Sequence, residues 1–251
     1  MGKIIAVVNQ KGGVGKPPTA VNLAACLQEL GLKILLCDFD PQANATSGLG
    51  VDKRKVHHRI YDVIINAIPT ENAIVSTKFA DVLPSSADLA GAGVELITLP
   101  DANYCLQKAL KEVQANYDLI LIDCPPSLEM LTLNALAAAE GVLIPVQCEY
   151  FALEGLSDLM NTMRMVKRLI YPTLEVFSVV LTMLDGRTNF STQVAQEVRR
   201  HFPGKVCATV IPRNIRLAEA PSHGLPVTVY DRSSRGSLAY KALAQEIKEK
   251  L

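Results

Sequence analysis

A glycine-rich loop with two lysines follows the first apolar run of the chain. The loop reads Asn9-Gln10-Lys11-Gly12-Gly13-Val14-Gly15-Lys16-Pro17-Pro18-Thr19. A loop of this kind between a buried strand and a helix turns its backbone N–H groups toward phosphate oxygens, and the helix N-terminus adds its positive dipole end. Lys16 is placed to reach the β- and γ-phosphates of a nucleotide. The spacing therefore predicts a phosphate cradle over Gly12 to Lys16.

Two positions of this loop depart from the P-loop pattern GxxxxGK[ST]. Gln10 stands where the pattern has glycine, and Pro17 stands where a serine or threonine hydroxyl would bind Mg²⁺. Proline has neither a hydroxyl nor an N–H group, so Pro17 and Pro18 together remove one metal ligand and two donors of the cradle. We expect the helix to survive, because proline is tolerated in a first turn, and nucleotide binding or turnover to be impaired.

The elements that must position this loop are short apolar runs alternating with longer helical patterns. Several runs are apolar at nearly every position, as in residues 119–122, which suits strands buried on both faces of a parallel sheet. Strands are predicted over Lys3–Asn9, Lys33–Asp40, Ala80–Pro84, Tyr117–Asp123, Gly141–Gln147, Val176–Met183, Lys205–Ile211 and Pro226–Tyr230. Helices are predicted over Thr19–Leu30, Ala102–Ala115, Leu128–Ala139, Glu154–Ile170, Ser191–Phe202 and Ser237–Leu251.

This alternation implies right-handed crossovers and an α/β fold. The fold class predicted is a single domain over residues 1–251, with a mostly parallel twisted sheet covered by helices on both faces. Residues 41–100 are less regular and are expected to form short helices and loops on one flank.

Composition excludes several classes of protein. The chain has 251 residues, 49% of them hydrophobic, and 25 Lys and Arg balance 25 Asp and Glu. A chain this apolar without net charge is not disordered, and it is not a globally basic nucleic-acid binder. No run approaches the ~18 apolar residues of a membrane span, and the N-terminus lacks the features of a signal peptide. The six cysteines are scattered without a CxxC pair, which favours reduced thiols and a cytoplasmic location.

Charge is unevenly distributed along the chain. Residues 187–235 contain eight Lys and Arg against three Asp and Glu, although the whole chain is neutral. A local basic face of this kind suits contact with a phosphate backbone. No aromatic interleaving or reading helix accompanies it, so base-specific recognition is not expected.

Several motifs together resemble those of a known family. The loop Lys11-Gly12-Gly13-Val14-Gly15-Lys16 is similar to the deviant Walker A loop of ParA/MinD-type ATPases, whose mark is the extra lysine, here Lys11. Residues 35–44 resemble that family's second acidic motif, and residues 119–127 resemble its Walker B strand and the loop that follows. Residues 145–150 and 211–222 resemble ParA/Soj chromosome-partitioning proteins in particular. The resemblance covers essentially the whole chain, with the motifs in family order.

The resemblance implies a P-loop NTPase-like fold that binds ATP or ADP with Mg²⁺. By the same resemblance Lys11 would reach the partner's nucleotide across a dimer interface, Asp40 would position the attacking water and Asp123 would hold the Mg²⁺ shell. Pro212 and Asn214 would lie beside the adenine. These positions suit the fold, since ligands of parallel sheets sit beyond the carboxyl ends of the strands. The family normally has Thr-Thr where this chain has Pro17 and Pro18.

The resemblance also implies partners. Arg187 and Arg216 match positions associated with non-specific DNA binding in ParA/Soj proteins, and Arg213 is adjacent to the second of them. The expected protein is a nucleotide-dependent homodimer that associates with the nucleoid and works with a ParB-like partner, away from the membrane. Charge reversal at Arg187 and Arg216 is expected to abolish salt-sensitive DNA retention.

Three alternatives remain open from the sequence. The two prolines favour a non-hydrolysing pseudo-ATPase that keeps only the interaction surfaces. A MinD-like membrane switch would need an amphipathic C-terminal anchor, but residues 238–251 have mixed charge and are typical of a closing helix. A relative of the nitrogenase iron protein would need cluster-binding cysteines, and Cys124 lies in the Walker B loop without that context.

Overall fold

A parallel sheet forms the centre of the molecule. The computed structural model describes residues 2–127, 129–148, 152–184 and 189–251. Its strands are β1 (Lys3–Val7), β2 (Ile34–Asp38), β3 (Val75–Ser76), β4 (Asp81–Leu83), β5 (Leu119–Asp123), β6 (Gly141–Gln147) and β7 (Glu175–Thr182). Among the described residues these seven strands form one sheet in the order β3-β4-β2-β5-β1-β6-β7. All neighbouring pairs are parallel except β3 and β4, which are antiparallel.

Helices connect the strands and cover both faces of the sheet. They are α1 (Lys16–Glu29), α2 (Asn44–Gly48), α3 (Ile60–Asn66), α4 (Thr70–Ala73), α5 (Leu89–Ile97), α6 (Cys105–Val113), α7 (Met130–Ala138), α8 (Ala152–Leu169), α9 (Asn189–His201), α10 (Ile215–Glu219), α11 (Val227–Tyr230) and α12 (Arg235–Lys248). Short 3₁₀ turns span Gln114–Asn116 and Ala220–His223. Leu128, where the helix now seen as α7 was predicted to begin, lies outside the described residues.

Strand β1 shows how the two faces are buried. Ile4 and Ala6 join a hydrophobic cluster on one face, and Ile5 and Val7 join a second cluster on the other. Successive side chains of a strand point to opposite faces, so a strand that is apolar at every position must be covered on both sides. The predicted fold class is therefore confirmed, and so is the flank of short helices and loops between residues 41 and 100.

The C-terminal helix α12 closes the second face. Tyr240, Leu243, Ala244 and Ile247 are buried there, and α12 packs mainly on α1. Its apolar side is thus used inside the fold, as predicted for a closing helix. No helix in the described part of the chain is both long and apolar enough to cross a bilayer.

The strand prediction for Lys205–Ile211 was wrong. This segment runs beside β7, with Val206 bridging Val179, but it makes only isolated bridges. The backbone N–H groups of Ala208 and Thr209 instead donate to the carboxylate of Glu246 on α12, at 2.9 and 3.0 Å. The N–H of Cys207 donates to the carbonyl of Val179 in β7, so the next N–H that would face β7 is that of Thr209. Because Glu246 accepts the Thr209 N–H, the ladder with β7 does not continue.

The strand prediction for Pro226–Tyr230 was also wrong. These residues begin the helical turn α11, where the N–H groups of Val229 and Tyr230 both donate to the carbonyl of Pro226 at 3.0 Å. The N–H group of Val227 donates to Asn22 Oδ1 of α1 at 2.7 Å. The turn packs between α1 and α12, so tertiary contacts override the β propensity of its valines.

Candidate functional site

The glycine-rich loop joins β1 to α1 at the carboxyl end of the sheet. Gly13 and Gly15 have φ of 76° and 89°, in the left-handed region that favours glycine. A Cβ placed on Gly12 or Gly13 would meet no atom within 4 Å, so the loop backbone faces open space. This is the geometry expected of a phosphate cradle, with room for oxygens where side chains are absent.

Lys16 begins α1 and is only 4% exposed. Its Nζ donates to the carbonyl of Asn9 at 2.9 Å and to that of Lys11 at 3.4 Å. Burial lowers the pKa of Lys16, and the nearby carboxyl groups of Asp123 and Asp40 oppose this shift. The ammonium group is thus held against the inside of the loop, where an anion would find it already desolvated.

Pro17 and Pro18 lie in the first turn of α1. The helix nevertheless starts at Lys16, and the backbone N–H of Thr19 donates to the carbonyl of Gly15 at 2.9 Å. The prediction that the prolines leave the helix intact is therefore confirmed. Both residues are half-buried and contribute no N–H group or hydroxyl to the cradle.

Two further residues fix the loop to the sheet. The amide of Asn9 donates to the carbonyl of Pro145 in β6 at 2.7 Å, while its Oδ1 accepts from the N–H of Lys11 at 2.9 Å. Thr182 of β7 donates its hydroxyl to the carbonyl of Val14 at 2.8 Å. Neither residue was predicted as part of the site, although Asn9 immediately precedes the glycine-rich run.

Three carboxyl groups lie where β2 and β5 end. Asp38 is in register with Asp123 on the neighbouring strand, and Asp40 follows two residues later. Asp40 is 6% exposed, and its Oδ1 accepts from the N–H of Gln42 at 2.9 Å. The sequence therefore placed Asp40 and Asp123 correctly at the carboxyl edge of the sheet.

Asp38 was missed as a site residue. Its Oδ2 accepts from both the N–H and the hydroxyl of Thr46 at 2.7 Å, and its Oδ1 accepts from the N–H of Asp40 at 3.2 Å. Burial raises the pKa of Asp38 to about 6 despite these hydrogen bonds. Its position two residues before Asp40, at the end of an apolar strand, is the signal that marked it.

Asp123 is fully buried, and neither of its oxygens has a hydrogen-bond partner in the described part of the chain. Burial, followed by the charges of Asp38 and Asp40, raises its pKa well above the usual range, while Lys16 opposes the shift. A buried carboxylate without partners is costly unless a cation or its water shell completes the site. Asp123 therefore fits the role of holding hydrated Mg²⁺.

Direct side-chain ligands for the metal are few. The described residues contain no group of three His, Cys, Asp or Glu side chains that could hold a metal ion. Magnesium commonly binds through one or two carboxylates plus substrate phosphates and water, so this site fits Mg²⁺ only together with a nucleotide. Pro17 leaves the metal without the hydroxyl that the P-loop pattern provides.

A cavity of about 340 Å³ extends from the loop. Its lining includes Gly15 and Pro18 of the loop and α1, Pro212 and Asn214, and Tyr240 of α12. Asn214 Oδ1 caps α10 by accepting from the N–H of residue 216 at 2.8 Å, which leaves the Asn214 amide N–H groups to meet a ligand. A mostly apolar cavity with one amide donor suits a purine base.

The predicted DNA-contacting arginines have different surroundings. Arg187 lies outside the described residues. Arg213 is exposed and lines the cavity. Arg216 pairs with Glu219 at 2.8 Å and with Asp231 at 3.2 Å. The positive charge of Arg216 is thus balanced locally, which lowers the net charge of this part of the basic face.

The sequence of the chain is similar to those of known proteins. A family model described as an AAA domain matches residues 2–176. The chain is 53% identical over 249 residues to the sporulation initiation inhibitor protein Soj of Bacillus subtilis, covering 98% of both chains. It is 50% identical over 244 residues to the chromosome-partitioning ATPase Soj of Thermus thermophilus, covering 97% of this chain and 94% of the relative.

A solved structure shares the fold. Cobyrinic acid a,c-diamide synthase from Mycobacterium smegmatis, with bound ADP and magnesium, superposes with a TM-score of 0.86 at 34% identity. The match covers 99% of this chain and 95% of that one. The chain is at least 50% identical to these two Soj proteins over nearly its full length, and it therefore belongs to the ParA/Soj family of chromosome-partitioning ATPases.

Proposed function

We propose that this chain is an ATP-dependent, dimerising switch of DNA partitioning, in which the two prolines of the P-loop weaken Mg-nucleotide binding or turnover. The observation that carries the proposal is that Lys16 and Asp123 are both buried beside the open glycine-rich loop, while neither Asp123 oxygen accepts a hydrogen bond within the described ranges. A lysine and a carboxylate desolvated together suit an anion and a cation that arrive together, as ATP or ADP does with Mg²⁺.

Each residue has a distinct task in this proposal. Lys16 and the backbone of residues 12–15 hold the phosphates, and Pro212 and Asn214 hold the base. Bound Mg²⁺ would neutralise phosphate charge, with Asp123 holding its water shell. Asp40, fixed by the N–H of Gln42, keeps one carboxylate oxygen available to orient a water. By family resemblance Lys11 would reach the partner's nucleotide in the dimer.

The expected defect follows from the groups that proline lacks. Threonine at position 17 would offer a hydroxyl to the metal, and an N–H at either position could meet a phosphate oxygen. A hydrogen bond to a charged group contributes roughly 1.5–3 kcal/mol, so losing one weakens nucleotide binding about tenfold or more. Pro17→Thr with Pro18→Thr should therefore tighten Mg-ATP binding by at least that factor.

The test compares the chain with this double revertant. Nucleotide affinity is measured by fluorescence titration with and without Mg²⁺, and turnover by phosphate release. We expect tighter, Mg²⁺-dependent binding and faster turnover in the revertant. Equal and robust turnover in both proteins would contradict the proposed role of the prolines. Failure of both proteins to bind ATP would contradict the nucleotide switch itself.

A second candidate is a pseudo-ATPase that binds nucleotide without hydrolysing it. The observation that favours it is the absence at Pro17 of the hydroxyl that would bind the metal directly, beside an otherwise intact cradle. This candidate forms a dimer on addition of ATP, visible by light scattering, and releases no phosphate. Turnover by the unsubstituted chain separates the two candidates: slow phosphate release is expected of the weakened ATPase, and none of the pseudo-ATPase.

DNA binding is proposed to depend on the dimer. The protein carries no net charge, so a monomer has only a local basic patch. Joining two patches in one dimer multiplies the phosphate contacts and steepens the dependence on salt. A ParB-like partner would stimulate release, and the protein would act in the cytoplasm on the nucleoid. The packing of α12 on α1 supports a role away from the membrane.

The DNA proposal is tested at Arg187 and Arg216. Arg187→Glu with Arg216→Glu should abolish salt-sensitive retention on DNA in the presence of ATP. Arg164→Glu with Arg168→Glu makes the same charge change on exposed positions of α8 and should retain DNA. Unchanged retention in the first variant would remove these arginines from the interface, and equal loss in both would indicate only a response to net charge.

A further inference from the structure

A second cavity, of about 600 Å³, opens at the edge of the sheet. It is lined by residues 49–52, 55–58, 72–73 and 75–79 and by Leu225. None of these residues belongs to the nucleotide site described above. We call this cavity the edge cleft.

The floor of the edge cleft is apolar. Val56, Val75 and Phe79 are partly buried, and they pack against the hydrophobic cluster on the α1 face of the sheet. Leu49, which is fully buried, continues this floor inward. The remaining exposed surface of these side chains offers contact area to an apolar group of a ligand.

The rim of the edge cleft is cationic. Lys55 and Lys78 are exposed, and His57 and His58 belong to the same lining. Within the described ranges, His57, His58 and Lys78 make no hydrogen bond or ion pair. Residues 53–59 contain four Lys or Arg, two His and no acid, although the chain as a whole is neutral.

The acidic residue of the lining does not cancel this charge. Asp52 is paired with Arg54 at 3.1 Å, and Lys55 is only loosely paired with it at 3.9 Å. Arg54 and Lys55 are largely exposed, so these ion pairs are weak in solvent and leave both cations able to rearrange. The rim therefore presents an excess of positive charge over an apolar floor.

The lining of the edge cleft also includes the outermost strand of the sheet. Strand β3 (Val75–Ser76) is outermost in the strand order, and within the described residues it pairs on one side only, with β4. An unpaired strand edge is a template for an added strand from another chain. The backbone of β3, the apolar floor and the cationic rim are thus presented together.

We propose that the edge cleft binds an acidic, extended peptide segment of a partner protein. Alternating apolar and acidic residues in such a segment would place one set of side chains on Val56, Val75 and Phe79 and the other set toward Lys55 and Lys78. Nucleic acid is the less suitable occupant, because its backbone contacts are made by polar and charged groups and would leave the apolar floor unused.

The test uses the full chain and a fluorescein-labelled octapeptide of alternating valine and glutamate. Binding is followed by fluorescence anisotropy at low salt. We expect saturable binding that weakens at least about tenfold in Lys55→Glu with Lys78→Glu, because both rim charges are reversed. Lys167→Glu with Arg168→Glu makes the same charge change on exposed positions of α8 and should leave the affinity within about twofold.

The apolar floor is tested separately by Phe79→Ser. Loss of a buried aromatic contact should weaken the peptide about tenfold as well, while circular dichroism shows that the variant is folded. A peptide of alternating valine and lysine should not bind. Absence of binding to the chain, equal binding by the Lys55/Lys78 variant, or unchanged affinity in folded Phe79→Ser would each overturn the proposal. A short DNA duplex that binds through Lys55 and Lys78 and displaces the peptide would overturn it in favour of nucleic acid.

Discussion

Asp38→Asn replaces a fully buried carboxyl group by a neutral amide of nearly the same shape. Burial raises the pKa of Asp38 to about 6, against an ordinary value of 3.8. Between about pH 4 and pH 6 the folded protein therefore keeps a proton that the unfolded chain has lost. The stability that this proton contributes is complete below about pH 4 and is lost as the pH rises through 6.

The change in the free energy of unfolding follows from the pKa shift of Asp38 and from the loss of one hydrogen bond. A shift of about two units at 1.36 kcal/mol per unit gives a cost of about 3 kcal/mol for the ionised carboxylate above pH 6. Asparagine avoids this cost, but its amide nitrogen cannot accept the bond that Oδ1 takes from the N–H of Asp40 at 3.2 Å. That loss is about 1 kcal/mol. The variant should therefore be more stable by about 2 kcal/mol at neutral pH and less stable by about 1 kcal/mol near pH 4.

The assay is urea unfolding of the nucleotide-free protein, followed by circular dichroism at about pH 7.5 and about pH 4. The free energy of unfolding is compared for the chain, for Asp38→Asn and for Asp158→Asn, which makes the same change on an exposed side chain of α8. The control should differ little from the chain at both pH values. A difference between the chain and Asp38→Asn that keeps the same sign and size at both pH values would refute the reasoning.

Three further variants test the loop, the core beside it and the basic face. Gly15→Ala should cost about 1–2 kcal/mol in thermal unfolding, because its φ of 89° is strained for any residue with a Cβ. Tyr240→Phe removes the hydroxyl that lies 3.2 Å from that of Thr19, and urea unfolding should show a loss of about 1–3 kcal/mol. Glu219→Gln with Asp231→Asn removes both ion-pair partners of Arg216. DNA affinity, measured over a series of salt concentrations, should then rise about threefold or more. Weaker binding would contradict a DNA contact at Arg216.

Much of the fold was predictable because burial leaves a clear pattern. The run Gly141–Gln147 is apolar along most of its length, and it forms β6 over those same residues. Strand β5 ends at Asp123 as predicted, whereas β1 and β2 each end two residues before the predicted end. Parallel pairing then brings Lys16, Asp40 and Asp123 to one edge of the sheet. Local sequence was sufficient wherever a residue's role depended on the strand it followed.

The remainder depended on contacts between distant segments. The path of Lys205–Ile211 is decided by Glu246, whose carboxylate accepts from Ala208 and from Thr209, the N–H group that would have faced β7 in a strand. Asp38 joins the site through Thr46 on the following helix, a bond that no spacing rule indicates. The hydroxyls of Thr19 and Tyr240 meet although 221 residues separate them. Thr46, Tyr240 and Glu246 carry no local pattern that would distinguish them from other positions of their helices.

The position of Tyr240 has a consequence for the order of events during synthesis. Tyr240, which lines the cavity beside the glycine-rich loop, comes from the last helix of the chain, whereas the loop is made first. A growing chain on the ribosome can pair β1 with β5 and form the loop well before Tyr240 is in place. The lining of this cavity is therefore completed only when α12 docks on α1.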